Sequence, residues 1–159
     1  MEALTRVRFE ADHLAVLEFL RAQDYPCPWQ IETLRQCVCL RVERDGYTAA
    51  YVWAHYVDNT MVLQFHACAN KHYPGRWLTQ RVFDRLLATA ELMSATKLTT
   101  ITEGPLRPLI HRLLERLGFQ PDGDAMSLYL EPDTNGPVLQ AEDPRSGSAA
   151  AAEPAARSE

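Results

Sequence analysis

Three alternating apolar and polar runs, CVCLRVERD, YTAAYVWAHYV and TMVLQFHACA, fill residues 37–69 almost without interruption. Side chains of a strand point to opposite faces in turn, so this pattern commits the centre of the chain to consecutive β-strands. Asp45-Gly46 is a hairpin signal between the first two runs, and Asp58-Asn59 joins the second to the third. Period-two reading places Tyr47, Ala49, Tyr51, Trp53 and His55 on one face of the second run. On the third it groups Val62, Gln64, His66 and Cys68, a half-polar face that is the first candidate for chemistry.

Around this centre the periodicity switches to that of helices. LTRVRF reads as a short strand, and EADHLAVLEFLRAQ as a helix with Leu14, Leu17, Phe19 and Leu20 on its apolar side and Asp12 as its cap. The prolines of YPCPW end it, and WQIETLRQ has room for about two turns. Helical spacing of Leu78, Val82, Phe83, Leu86, Leu87, Ala90 and Met93 predicts a helix over residues 75–93. KLTTITE is a β-branched strand. PLRPLIHRLLERLGF is a helix carrying Leu106, Leu109, Ile110, Leu113, Leu114 and Leu117, with Gly118 as its C′ residue, and MSLYLE is the last strand. After Pro132 the chain turns to Pro, Gly, Ser, Ala and Glu, too poor in apolar residues to fold alone. One domain over residues 1–132 and a tail over 133–159 are expected.

Composition narrows the function classes. With 159 residues and 47% hydrophobic content, a domain of this size buries roughly 68–70% of its unfolded surface. Net charge is -5 and no basic block occurs, which argues against nucleic-acid binding. No apolar run approaches the ~20 residues of a membrane span, and the start MEALTRVRFEADH lacks a signal-peptide core. A cytoplasmic protein at synthesis, with no membrane partner, is expected. Cys27, Cys37, Cys39 and Cys68 show no zinc or redox spacing and read as buried, inert thiols. The histidines form no HExxH-type set, so no metal is expected.

The element order, together with HYPGRWLTQRVF, PLIHRLLERLGF and the intervening KLTTITE, resembles the GCN5-related N-acetyltransferase (GNAT) superfamily over residues 5–131. That resemblance implies an α/β fold with a mixed, mostly antiparallel central sheet flanked by helices. It also implies that the turn containing Gly75, Arg76, Trp77 and Leu78 stands where the family seats the acetyl-CoA pyrophosphate. The family's turn follows Q/R-x-x-G-x-G/A, and here Pro74, Trp77 and Thr79 occupy the matching positions. Proline has no N–H to donate, and an indole fills space that glycine would leave open. The family's helix asparagine and its acid tyrosine fall on Arg107 and Leu114, leaving Tyr129 of the next strand as a substitute acid.

A protonated amine acceptor needs a base, and by this resemblance His66 and Glu103 are the candidates. Each also has a structural reading, His66 as a core histidine bonded to a neighbouring strand, Glu103 as a carboxylate stabilised by a helix N-terminus at ~0.3–1 kcal/mol. His55, His72 and His111 read as surface or helix-face residues, and Trp29, Trp53 and Trp77 as exposed aromatics, Trp77 filling the coenzyme groove. Two functions follow. The degenerate turn favours a GNAT-fold structural or assembly module that has lost acetyl-CoA chemistry and has no cofactor. It resembles divergent members of tailed bacteriophages, with protein partners such as other virion subunits or copies of itself. The alternative is an acyl-CoA-dependent N-acyltransferase acting on a small amine or a protein amino group, with acetyl-CoA at residues 75–78.

Overall fold

The computed structural model describes residues 5–26, 28–73, 76–102 and 106–130. In chain order the elements are β1 (Thr5–Phe9), α1 (His13–Ala22), α2 (Ile31–Leu34), β2 (Val38–Arg44), β3 (Tyr47–Tyr56) and β4 (Val62–Ala69). Then come α3 (Gln80–Leu92), β5 (Lys97–Ile101), α4 (Arg107–Arg116), β6 (Gln120–Asp122) and β7 (Ala125–Tyr129). The strands form one sheet in the order β1-β2-β3-β4-β5-β7-β6, antiparallel at every junction except β4 with β5. This is the mixed, mostly antiparallel α/β architecture expected.

Alternation along β3 explains why its middle is buried on both sides. Val52 and Ala54 enter a core with Leu63, Phe65 and Leu98, covered by Val82, Phe83 and Leu86 of α3 and Leu114 of α4. Tyr51 and Trp53 face the other way, into a core with Cys39 and Cys68 that Val16, Leu17 and Leu20 of α1 and Leu34 of α2 close. Asp45 (φ 53°) and Gly46 (φ 81°) both adopt the left-handed conformation that a two-residue hairpin turn requires.

Local sequence rules account for some helix ends. Asp12 caps α1, its Oδ1 accepting from the Ala15 N–H at 3.1 Å, and Gly118 follows α4 at φ +100° as a C′ glycine does. Several boundaries differ from expectation. Leu14 is 53% exposed, while Val16 is buried in its place. α2 is a single turn. Helix α3 starts at Gln80, because Thr79 is extended (φ -110°, ψ 171°) and its hydroxyl accepts from the Val82 N–H. Trp77 therefore precedes the helix instead of standing in its first turn. On α4 only Leu114 is buried, and Leu106 and Leu109 are mostly exposed.

Strand β6 was not expected, since three residues containing Pro121 carry no strand signal. Proline is tolerated there because β6 is the sheet edge. It contributes Asp122, which accepts from the buried Ser127 hydroxyl at 2.8 Å and pairs with Lys97 at 2.9 Å, while Thr99 meets Ser127 at 2.9 Å. The hydroxyls between β5 and β7 are thereby satisfied. Among the described residues no helix is long and apolar enough to cross a membrane.

Candidate functional site

Strands β4 and β5 stay together for three residue pairs only, Val62 with Lys97, Leu63 with Leu98 and Gln64 with Thr99. Beyond Gln64 the rest of β4 has its strand partner on the β3 side alone. At the start of this parting the Thr100 hydroxyl donates to the Phe65 carbonyl at 2.9 Å. His66 is the next residue along β4 and stands opposite Trp53 of β3.

His66 lies within a box of aromatic rings. Trp29, from the segment before α2, meets it edge-on at 4.9 Å between centroids, Trp53 stacks at 5.7 Å and His55 stacks at 5.1 Å with only 13° between planes. The two imidazoles touch directly, Nε2 to Nε2, at 3.0 Å, and His55 Nδ1 lies 3.0 Å from the Tyr56 carbonyl. Burial, with a smaller contribution from His55, pushes the His66 pKa down to about 4, so the ring is neutral at physiological pH. The structure shows His66 as a core-facing histidine bonded to a neighbouring strand, placed on the length of β4 that has left β5. His55 is its partner instead of a surface residue, and Trp53 is fully buried instead of exposed. The indole N–H groups of Trp53 and Trp29 are buried with no acceptor among the described residues.

Next on this face, the Tyr51 hydroxyl donates to Glu10 Oε1 at 2.8 Å, and Arg41 stands 3.8 Å from that oxygen. Burial, then the bond to Glu10, raises the Tyr51 pKa, holding the phenol neutral. Burial also raises the thiols of Cys37 and Cys68 to about 11 and Cys39 to about 12, and all three are buried. Inert thiols were expected, and these three are such; Cys27 lies outside the described residues. No group of three or more metal-ligating side chains occurs among the described residues.

The turn after β4 is held from β3 and β2. Asn70 binds the Ala49 and Thr48 carbonyls at 2.8 and 3.0 Å, and Arg44 donates to the Arg76 carbonyl. Arg76 is exposed. Trp77 and Leu78 are half-buried against the core beneath α3 and α4. Of the other expected site residues, Gly75 and Glu103 lie outside the described residues. Tyr129 is opposite Lys97, whose ammonium is 5.4 Å from its ring, and is 59% exposed. Because Lys97 pairs with Val62, Tyr129 sits about 13 Å along the strand direction from the level of His66. The structure does not bring the two together. Leu114, at the family's acid position, is a core residue.

No model of a known protein family matches the sequence, and no curated protein matches it either. Solved structures do match in fold. A GNAT superfamily phosphinothricin acetyltransferase from Sinorhizobium meliloti, in complex with acetyl-CoA, aligns at TM-score 0.63 and 15% identity over 85% of this chain and 92% of its own. The ribosomal-protein-S18-alanine N-acetyltransferase of Escherichia coli aligns at 0.60 and 16%, covering 82% and 98%. A spermidine N-acetyltransferase from Vibrio cholerae aligns at 0.60 and 12%, covering 79% and 93%. These likenesses show that the fold is GNAT-like.

Proposed function

We propose that this chain is an acyl-CoA-dependent N-acyltransferase with His66 as its proton acceptor. The observation that carries the reading is the parting of β4 from β5 after Gln64, with a neutral imidazole on the freed length of β4. All three structural neighbours named above are acetyltransferases, two of them of the small molecules phosphinothricin and spermidine and one of a ribosomal-protein alanine. The reading favoured from the sequence, a virion or assembly module without acetyl-CoA chemistry, finds no support in the fold or in these neighbours, which agree better with the alternative.

The residues present fit an acyl-CoA arm by position and charge more than by a glycine cradle. Helix α3 is the element that follows β4 and begins at Gln80, with Arg76 and Arg81 near its start, and a helix N-terminus favours phosphate. Trp77 rests half-buried against the core, which is compatible with an open gap beside it. Thr79 already satisfies the Val82 N–H, so fewer backbone donors remain than in a glycine-rich turn. Weak to moderate binding follows.

Bound acyl-CoA would supply the activated acyl group. His66, uncharged, accepts the amine proton as the new C–N bond forms and the nitrogen becomes strongly acidic, and the C–S bond of the thioester breaks to release the coenzyme A thiolate, which takes its proton from solvent. A depressed pKa keeps the ring in its accepting form. Glu103 remains the second candidate base. The buried Trp53 ring backs His66 from the core side, and the half-buried Trp29 ring offers an acceptor amine an aromatic wall.

The test is calorimetry with acetyl-CoA on the purified chain, followed by thiol release with a polyamine, free amino acids and an N-terminal peptide. Saturable binding and turnover with one class are expected. His66→Ala should cut kcat by about 10²–10⁴-fold with acetyl-CoA affinity retained. No saturable heat at millimolar acetyl-CoA would overturn the reading.

A further inference from the structure

We infer that His55 and His66 work as a single proton acceptor, in which His55 fixes the tautomer of His66 and takes over the charge that His66 receives. The hydrogen-bond directions follow from one group that cannot donate. The Tyr56 carbonyl only accepts, so the His55 Nδ1 that lies 3.0 Å from it carries a hydrogen. In neutral His55 the Nε2 is then a lone pair. His66 Nε2, 3.0 Å away, must carry the hydrogen between them, and the lone pair of His66 is left on Nδ1. That atom has no hydrogen-bond partner among the described residues. It is the one free accepting nitrogen of the pair.

One added proton completes the pair without breaking its bonds. An N–H bond forms at His66 Nδ1, the bridging hydrogen passes from His66 Nε2 to His55 Nε2, and the positive charge comes to rest on His55. There the Nδ1–H still donates to the Tyr56 carbonyl, at the end of β3 where Tyr56 is exposed. The charge leaves the ring enclosed by Trp29 and Trp53. A second proton would place two cations 3.0 Å apart in this setting and is not accepted.

Among the described residues no other ionised group acts on His66. On β3 and β4 its neighbours Tyr51 and Cys68 are neutral, and on β2 Cys39 is neutral. Helix α1 faces it with Val16, Leu17 and Leu20, and α2 with Leu34. Glu32 of α2 is exposed, and the Glu10 and Arg41 charges lie beyond Tyr51, paired with each other. His55 is the named electrostatic influence on His66.

The catalytic part of this inference rests on the acyltransferase reading, but its central claim does not. Long-range ¹H–¹⁵N correlation spectra of the whole labelled chain report which ring nitrogen carries hydrogen. At neutral pH His55 is expected as the Nδ1–H and His66 as the Nε2–H tautomer, and on acidification both rings should respond to one shared proton. His66 found as Nδ1–H, or two rings each taking its own proton independently, would overturn the pairing. His55→Gln and His55→Phe should scramble the His66 tautomer and lower kcat at least about tenfold while leaving the acetyl-CoA dissociation constant unchanged. Melting curves of both variants identify loss of fold, and the spectrum of the parent chain decides even if both misfold. Unchanged kcat with a changed tautomer would refute the catalytic part alone, and absence of any acyl transfer would count against the acyltransferase reading while the tautomers still test the pair.

Discussion

His66 ties its environment to the acid stability of the whole chain. Its pKa is 6.5 in an unconstrained chain and about 4 in the fold, so between these values the unfolded state binds more protons than the folded one. Stability therefore rises with pH across that window and is lost as pH falls from about 6.5 towards 4. A His66→Phe chain should show a flatter decline of melting temperature over the same interval, and an identical profile would show that burial of His66 is not the cause. The thiols give a second residue-scale prediction. With pKa values near 11 and 12 and buried sulfur atoms, Cys37, Cys39 and Cys68 should resist alkylation at pH 8 in the folded chain and react fully in denaturant. Rapid labelling of any of the three would contradict this burial.

Elements were legible where one periodicity ran long enough to be unambiguous. β2 to β4, α3 and α4 were plain from spacing alone, and Asp12 and Gly118 marked their helix ends. The Asp12 cap should be worth about 1 kcal/mol, so Asp12→Ala is expected to lower stability by that amount in urea unfolding while Asp12→Asn largely preserves it. What was illegible depended on register or on partners. Reading Asp58-Asn59 as a two-residue turn would set His66 opposite Tyr51. The actual connection closes with the Val57 N–H on the Val62 carbonyl, and His66 moves opposite Trp53 and diagonal to His55. The histidine pair was therefore hidden by a two-residue slip that kept every side chain on its correct face. Trp29 gave no signal, because it reaches the site from a proline-rich segment without periodicity. Strand β6 was missed because it exists through its pairing with β7, not through its own composition.

At the scale of the molecule, residues 5–130 hold the two cores and the candidate site, and the composition beyond Pro132 offers no further core. A chain ending at Pro132 is expected to melt within a degree or two of the full chain and to bind acetyl-CoA equally well, because little apolar surface is removed; a large loss of either would give residues 133–159 a part in the domain. The short contact between β4 and β5 has a mechanical consequence. Strands β1 to β4 and strands β5 to β7 form two leaves of the sheet, riveted at one end by three residue pairs, the Thr96 N–H on the Met61 carbonyl and the Thr100 hydroxyl on the Phe65 carbonyl. A guest lying between the free margins would splice them along their remaining length, adding to the shared core beneath α3 and α4 a second tie between the two leaves.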